Sequence, residues 1–138
     1  MRARLIHTSA FAAFAAFLAC AGAAQASGSI TCHSADDNVV IDLLVGRAEA
    51  ITILRTIIII GDKAWSSDPA NAPGTPIIAA QAFEDSTRLL VDFGLEAAGA
   101  VVARLRAVNA SEGADFVSGG VFSFKDIGAW PVDCSERG

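Results

Sequence analysis

The sequence predicts an all-β protein, a small antiparallel sandwich or barrel of about seven or eight strands. Three observations lead to this prediction. Apolar and polar residues alternate over short segments, turn-forming residues separate these segments at fairly even intervals, and two cysteines lie near the two ends of the chain that follows an apolar leader. We expect Val, Ile and Leu to fill the interior, and the sequence contains no tyrosine.

The leader, residues 1–26, has the features of a secretory signal peptide that is cleaved after Ala26. Arg2 and Arg4 give it positive charge, residues 11–24 are apolar, and it ends in the small-residue motif AQA. The apolar run is shorter than the roughly 20 residues of a membrane span. We therefore expect export to the periplasm by the general secretory route.

Cys20 raises the alternative of an outer-membrane lipoprotein. Sites of lipid attachment usually carry a small residue at the position that Leu18 occupies here. Cleavage after Ala26 is therefore favoured over lipid attachment, and no membrane insertion is expected after cleavage.

Residues 27–138 are expected to form a single β domain. Removal of the leader leaves eight basic and fifteen acidic residues, a net charge of −7. Nucleic acids and anionic lipids are bound by clustered Lys and Arg that neutralise phosphate. The charge therefore predicts that neither is a partner.

Two cysteines lie outside the leader, Cys32 and Cys134, and we predict a disulfide between them. The bond would join the first strand to the last. It would close a loop of 102 positions, which in the chain-entropy model stabilises the fold by about 4 to 5 kcal/mol. An oxidised sulfur cannot act as a nucleophile, so a catalytic Cys32 is not expected.

His33 is the only histidine outside the leader, and it lies close to Asp36 and Asp37. On a strand, its side chain points away from the face that carries Cys32. A metal site would need further nitrogen, sulfur or oxygen ligands at regular spacing. The sequence also lacks CxxC, Walker, Rossmann and GxSxG patterns. We predict no metal site, no cofactor and no enzymatic activity.

The first clear strand signals occupy residues 38–45 and 49–65. In the first segment, one face carries Val39, Ile41, Leu43 and Val45 and the other carries Asp42, which is typical of a half-buried strand. In the second, β-branched residues are interrupted by Gly-Asp at 61–62, which predicts a hairpin turn. Four isoleucines in succession at 57–60 indicate that both faces of this strand are covered.

Residues 66–76 contain three of the four prolines and are predicted to form an exposed, irregular loop. Two strands follow within residues 77–93, separated by a turn at 84–87. Leu89 and Val91 are expected to point inward.

The next segment is ambiguous between strand and helix. Apolar residues alternate with arginines over 99–108, which favours a strand, but the composition of 95–108 also suits a helix. An α+β fold with a helix near 95–108 is therefore the alternative. The last segment, 115–134, predicts a strand pair in which Gly119 and Gly120 form a bulge or a sharp bend.

Arg88, Arg104 and Arg106 are candidate partner-binding residues. They would share one outer face if their strands are neighbours, and they would then bind an acidic partner through bidentate contacts. The alternative is that they balance Asp92 and Glu96 on a solvated face.

Trp65 and Trp130 are the other candidate partner-binding residues. Tryptophan serves either as an anchor in protein interfaces or as a packing residue in a core or beneath a loop. The sequence leaves both interpretations open.

The spacing of Cys32, the strand and turn series, and Cys134 resembles the small exported bacterial inhibitors of C-type lysozyme. The resemblance covers most of residues 27–138 and implies a β-barrel with one cysteine in the first strand and another close to the C-terminus. Members of that family share a Ser-Gly-containing segment, which ends near an aromatic residue and enters the lysozyme cleft. The nearest stretch here is VSGGVF, Val117–Phe122, and it contains no tyrosine. The resemblance therefore supports the fold more than the inhibitory activity.

We therefore expect an exported, periplasmic, non-enzymatic module that binds or inhibits a protein of the periplasm or of host secretions. The alternative is a carrier of a small apolar ligand inside a β-barrel, because barrels of apolar strands can enclose cavities. A filled interior would favour the first function, and an open mouth leading to a dry cavity would favour the second.

Overall fold

The structure is a computed structural model, and it describes residues 27–138. The predicted signal peptide and Cys20 lie outside these residues. Within them the chain forms ten β-strands and no helix, which confirms the all-β prediction. The strands are β1 (Ser27–His33), β2 (Val39–Arg47), β3 (Ile51–Ile60), β4 (Lys63–Ser66), β5 (Thr75–Pro76), β6 (Ile78–Glu84), β7 (Arg88–Gly94), β8 (Val101–Glu112), β9 (Asp115–Phe124) and β10 (Gly128–Arg137). No helix that is long and apolar enough to cross a membrane occurs in this part of the chain.

The ten strands form one barrel-like sheet in the order β5-β4-β3-β2-β1-β10-β9-β8-β7-β6. This order divides the sheet into two halves that are each contiguous in sequence. We call β1 to β5 the N-terminal half-sheet and β6 to β10 the C-terminal half-sheet. The two half-sheets meet where β1 pairs with β10 in antiparallel register.

The Cys32–Cys134 disulfide lies inside this junction and confirms the predicted pairing of the cysteines. The two residues are directly opposite each other in the β1–β10 register, with their Cα atoms 4.0 Å apart. Cys32 is fully buried, so the bond is shielded on the β1 side. The first strand is therefore tied to the last one covalently as well as through backbone hydrogen bonds.

The second meeting of the half-sheets, which we call the seam, has no backbone ladder within residues 27–138. β4 is short and pairs with only the second half of β3, and β5 then runs parallel to β4. The Ile77 amide donates to the Ser66 carbonyl at 3.1 Å, after which the chain continues as β6, which lies beside β3. The seam therefore closes the barrel through a two-residue parallel strand and side-chain packing.

Ten strands are found where about seven or eight were expected. The difference comes partly from β4 and β5, which are only four and two residues long. The helix considered near 95–108 is not formed, because Val101–Glu112 is strand β8 and pairs with both β7 and β9. Pairing on both edges and the burial of alternate residues outweigh a helix propensity that amounts to a few tenths of a kcal/mol per residue.

Inward-facing side chains fill the barrel. Phe122 is fully buried near its centre, with Phe93 and Phe124 each 6.4 Å away in edge-to-face geometry. Aliphatic residues from both half-sheets surround these rings. The largest fully buried ones are Ile41, Leu43, Ile58, Ile77, Leu105, Val39, Val45 and Val91.

The bulge expected at Gly119 and Gly120 is absent from the described structure, since β9 passes through both residues without a shift in register to β8 or β10. The glycines are needed for a different reason. A Cβ atom on Gly120 would lie 1.9 Å from the carbonyl oxygen of Arg106, so only glycine permits the two strands to approach this closely. The stretch Val117–Phe122 is thus part of the barrel wall and does not project as a loop.

Candidate protein-binding face

Three arginines lie on one outer surface of the C-terminal half-sheet. Arg88 projects from β7, and Arg104 and Arg106 project from β8, its antiparallel neighbour. The intervening residue Leu105 is fully buried, so both β8 arginines point away from the core. The condition set by the sequence, that the strands be neighbours, is met. We call this outward side of β6, β7 and β8 the arginine face.

The three guanidinium groups share two carboxylates. Arg106 Nη2 lies 2.5 Å from Asp92 Oδ1, and Arg104 Nε lies 3.9 Å from the same oxygen. Arg88 Nη2 donates a hydrogen bond to Asp85 Oδ2 at 2.8 Å. Because one carboxylate serves both Arg104 and Arg106, the arginine face carries a local surplus of positive charge on a chain with a net charge of −5.

Asp85 holds Arg88 in place at the turn between β6 and β7. The hydrogen bond from Arg88, followed by those from the amide and hydroxyl of Thr87, holds the pKa of the Asp85 carboxyl well below its usual range. Asp85 is therefore ionised at neutral pH. Sequence reasoning offered Glu96 as a balancing charge, but Glu96 forms no ion pair with any other residue of 27–138.

A depression lined by both polar and apolar side chains lies beside the arginines. Phe83 on β6 is opposite Leu90 on β7, which is in turn opposite Arg106 on β8. The depression has a volume of about 460 Å³ and is open to solvent. Its lining residues are Gln81, Ala82, Phe83, Leu90, Asp92 and Arg106.

Phe83 is 48 % exposed, and the guanidinium carbon of Arg88 lies 5.6 Å from the centre of its ring. This distance permits a cation–π contact. The contact holds the ring and the guanidinium group next to each other at the edge of the depression, so that an incoming chain would meet an aromatic surface and a positive charge together.

Neither candidate tryptophan belongs to the arginine face. Trp65 is only 8 % exposed, and its ring centroid lies 4.6 Å from that of Phe124. Trp130 is half-buried and stacks on Phe122, with ring centroids 6.2 Å apart. Both side chains pack the barrel interior, because both lie on the inward side of their strands. Of the two interpretations that the sequence left open, the structure favours packing.

The polar residues around His33 build the turn between β1 and β2. His33 Nδ1 lies 3.0 Å from Asp37 Oδ1, and Asp36 accepts hydrogen bonds from the Ser34 hydroxyl and the Asn38 amide. The Ser34 contact is the main cause of a lowered pKa of Asp36. No group of three or more His, Cys, Asp or Glu residues that could hold a metal ion occurs in the described part of the chain.

Sequence reasoning missed Arg47, which lies at the seam. Its Nε and Nη2 donate to the two carboxylate oxygens of Glu84 at 2.6 and 2.8 Å, and its Nη1 donates to Glu136 at 2.6 Å. Glu84 is the main cause of a raised pKa of Arg47, so the guanidinium is permanently charged. Arg47 therefore joins the end of β2 to the ends of β6 and β10.

Comparison with family models, with curated proteins and with solved structures finds no match to this chain.

Proposed function

We propose that this chain is an exported, periplasmic, non-enzymatic module, and that it binds an acidic segment of a protein partner on the arginine face. The observation that carries the proposal is the shared carboxylate of Asp92. It lies close to Arg106, while Arg104 is 3.9 Å away and has a side chain that is 55 % exposed. Arg104 is therefore only loosely paired and is accessible to a carboxylate of another chain.

The composition of the face suits a segment that carries both carboxylates and an apolar side chain. A guanidinium group binds a carboxylate through two parallel hydrogen bonds and stays charged at every physiological pH. Phe83 and Leu90 supply apolar surface beside it. Arginine and aromatic residues commonly contribute most of the free energy of protein–protein binding.

The filled interior supports binding on the outer surface over the carrier function. A carrier of a small molecule would need an internal cavity of about 300 to 1,000 Å³. Here the centre of the barrel is occupied by Phe93 and Phe122, and the void beneath the β8–β9 hairpin measures about 20 Å³. A void of that size holds roughly one water molecule.

Export is supported by the leader and by the disulfide. Residues 1–26 combine positive charge, an apolar run and small residues at the cleavage position. The Cys32–Cys134 bond is of the kind that persists in oxidising compartments such as the periplasm.

The proposal is tested by capture with immobilised residues 27–138, using periplasmic extract and host secretions and identifying bound proteins by mass spectrometry. Purified candidates are then titrated directly. We expect binding to weaken as NaCl rises, because exposed charge contacts are screened over about 10 Å at moderate ionic strength. We expect the variant Arg88→Ser, Arg104→Ser, Arg106→Ser to lose the partner.

Replacement of residues 71–73 by Gly and Ser is the matched control, since it alters the loop that precedes β5 and leaves both β5 and the arginine face intact. Purified C-type lysozyme is included as a probe, because inhibition of this enzyme is what the sequence resemblance implies. Equal binding of a partner by the parent and by the triple arginine variant, with the same salt dependence, would overturn the proposal.

A further inference from the structure

The outward side of the β8–β9 hairpin, which we call the hairpin face, changes character along its length. Near the middle of the barrel it is basic, farther along it is apolar, and at the tip it is acidic. On β8 the outward residues are Arg104, Arg106, Val108, Ala110 and Glu112, and their antiparallel partners on β9 are Ser123, Val121, Gly119, Val117 and Asp115.

The apolar part of the hairpin face is strongly exposed. Val108 is 62 %, Val117 67 % and Val121 50 % exposed. These three residues are contiguous on two paired strands, whereas scattered exposed apolar residues are common on proteins. The acidic tip residues Glu112 and Asp115 are also exposed and form no ion pair with another residue of 27–138.

The hairpin face is complementary to itself under a two-fold rotation. Arg104 lies four residues before Val108 on β8, and Glu112 lies four residues after it. On a strand with a rise of about 3.4 Å per residue, both charges are roughly 14 Å from Val108. A two-fold axis that runs across the hairpin at Val108 therefore brings Arg104 of each copy opposite Glu112 of the other.

The same rotation also matches the apolar residues. Val121 and Val117 lie two positions on either side of Gly119, which is the β9 partner of Val108. Val121 of one copy therefore meets Val117 of the other, and Val108 meets its own equivalent on the axis. Because the outer surface of a barrel is convex, the contact is concentrated on β8 and β9, and β6 curves away from it.

We propose that a second copy of this chain docks on the hairpin face, forming a two-fold symmetric dimer. Interfaces of this kind use the same patch on both subunits, so a patch that carries both charges at equal distances from an apolar centre is suited to one. Stable interfaces bury about 800 Å² per partner, and a face of two strands lies at the small end of that scale. The expected dimer is therefore weak, with a dissociation constant in the micromolar range.

The test measures the mass of residues 27–138 by sedimentation equilibrium from micromolar to near-millimolar protein. Glu112→Arg and Arg104→Glu should each weaken the dimer by at least about tenfold, because like charges would then face each other. The double variant restores the pairing with exchanged signs and should dimerise within about threefold of the parent. Val108→Asp should give a monomer.

Lys63→Glu is the control for charge reversal elsewhere, because Lys63 is exposed on the N-terminal half-sheet. Circular dichroism verifies that each variant is folded. The proposed dimer would be overturned if the parent protein is monomeric at every concentration. It would also be overturned if neither single charge reversal changes the dissociation constant, or if the folded double variant stays monomeric.

Failure of the dimer is distinguishable from failure of the proposed function. Glu112→Arg separates the copies but leaves all three arginines of the arginine face in place, so it should still capture a different partner. The double variant with Arg104→Glu restores the dimer while removing an arginine from that face. Arg104→Glu alone affects both properties, whereas Glu112→Arg affects only the dimer and the double variant affects only the arginine face.

Discussion

The two half-sheets meet along two junctions that are built differently. Where β1 meets β10, a continuous antiparallel ladder of five residue pairs contains the disulfide. At the seam, β3 and β6 lie side by side without a ladder within residues 27–138, and Arg47 at the end of β2 adds an ion pair to Glu84 at the end of β6. One junction is thus held by backbone hydrogen bonds and a covalent bond, and the other by packing and an ion pair.

This difference predicts where the closed sheet opens first. Backbone ladders form and break cooperatively over many residues, whereas a partly exposed ion pair contributes little and is screened by salt. We therefore expect the barrel to open first at the seam and last at the β1–β10 junction. Substitutions on the two sides of the molecule should reveal this order.

The largest expected effect is loss of the disulfide. Replacing both Cys32 and Cys134 by Ser should lower the free energy of unfolding by about 3 to 5 kcal/mol, because the unfolded chain regains the freedom of a loop of 102 positions. Urea denaturation followed by circular dichroism measures it. The parent protein with the disulfide reduced is the control. If the double variant and the reduced parent both unfold at the same urea concentration as the oxidised parent, the disulfide does not make the β1–β10 junction the more stable of the two.

A smaller effect is expected from adding one methyl group within each half-sheet, away from the two junctions. Gly120→Ala should destabilise by about 2 to 4 kcal/mol, because the new Cβ would overlap the backbone of Arg106 and the strands must separate. Gly46→Ala, in β2, should have almost no effect, since its Cβ would meet Leu54 at an ordinary 3.5 Å. Equal midpoints in urea for these two variants would contradict the expected difference in tightness.

The smallest expected effect concerns the ion pairs of the seam. Arg47→Met should lower stability by about 1 kcal/mol, because the Arg47 side chain is 32 % exposed and water screens its two contacts. The loss should shrink in 1 M NaCl. Arg137→Met removes a positive charge that has no ion pair within residues 27–138 and is the matched control. If Arg47→Met lowers the free energy of unfolding as much as removal of the disulfide does, the expectation that the seam is the weaker junction is wrong.

Local patterns predicted much of the fold. The alternation over 38–45 corresponds to β2, and the Gly-Asp turn at 61–62 joins β3 to β4. The disulfide followed from the presence of two cysteines in a small domain that is preceded by a predicted export leader. Each of these features depends on residues close in sequence or on a pairing with only one solution.

Features that depend on distant contacts were not predictable from the sequence. Arg47 binds residues 37 and 89 positions away, and nothing near it in the sequence indicates either partner. The packing role of Trp65 depends on Phe124, which a separate hairpin brings to it. Strand β8 was ambiguous because its neighbours on both edges, and not its composition, determine its conformation.

The placement of the first strand beside the last has a consequence for the order of synthesis. β1 is synthesised before the other nine strands of residues 27–138, and its partner β10 is synthesised after them. At about 5 to 20 residues per second, the Cys32 thiol and the free edge of β1 wait on the order of ten seconds for their partners. During that time the nascent N-terminal half-sheet presents an unpaired edge of the kind that promotes aggregation. Completion of the native barrel therefore depends on β10, because a chain that stops before Gly128 has nine strands but lacks the partner of the β1 edge.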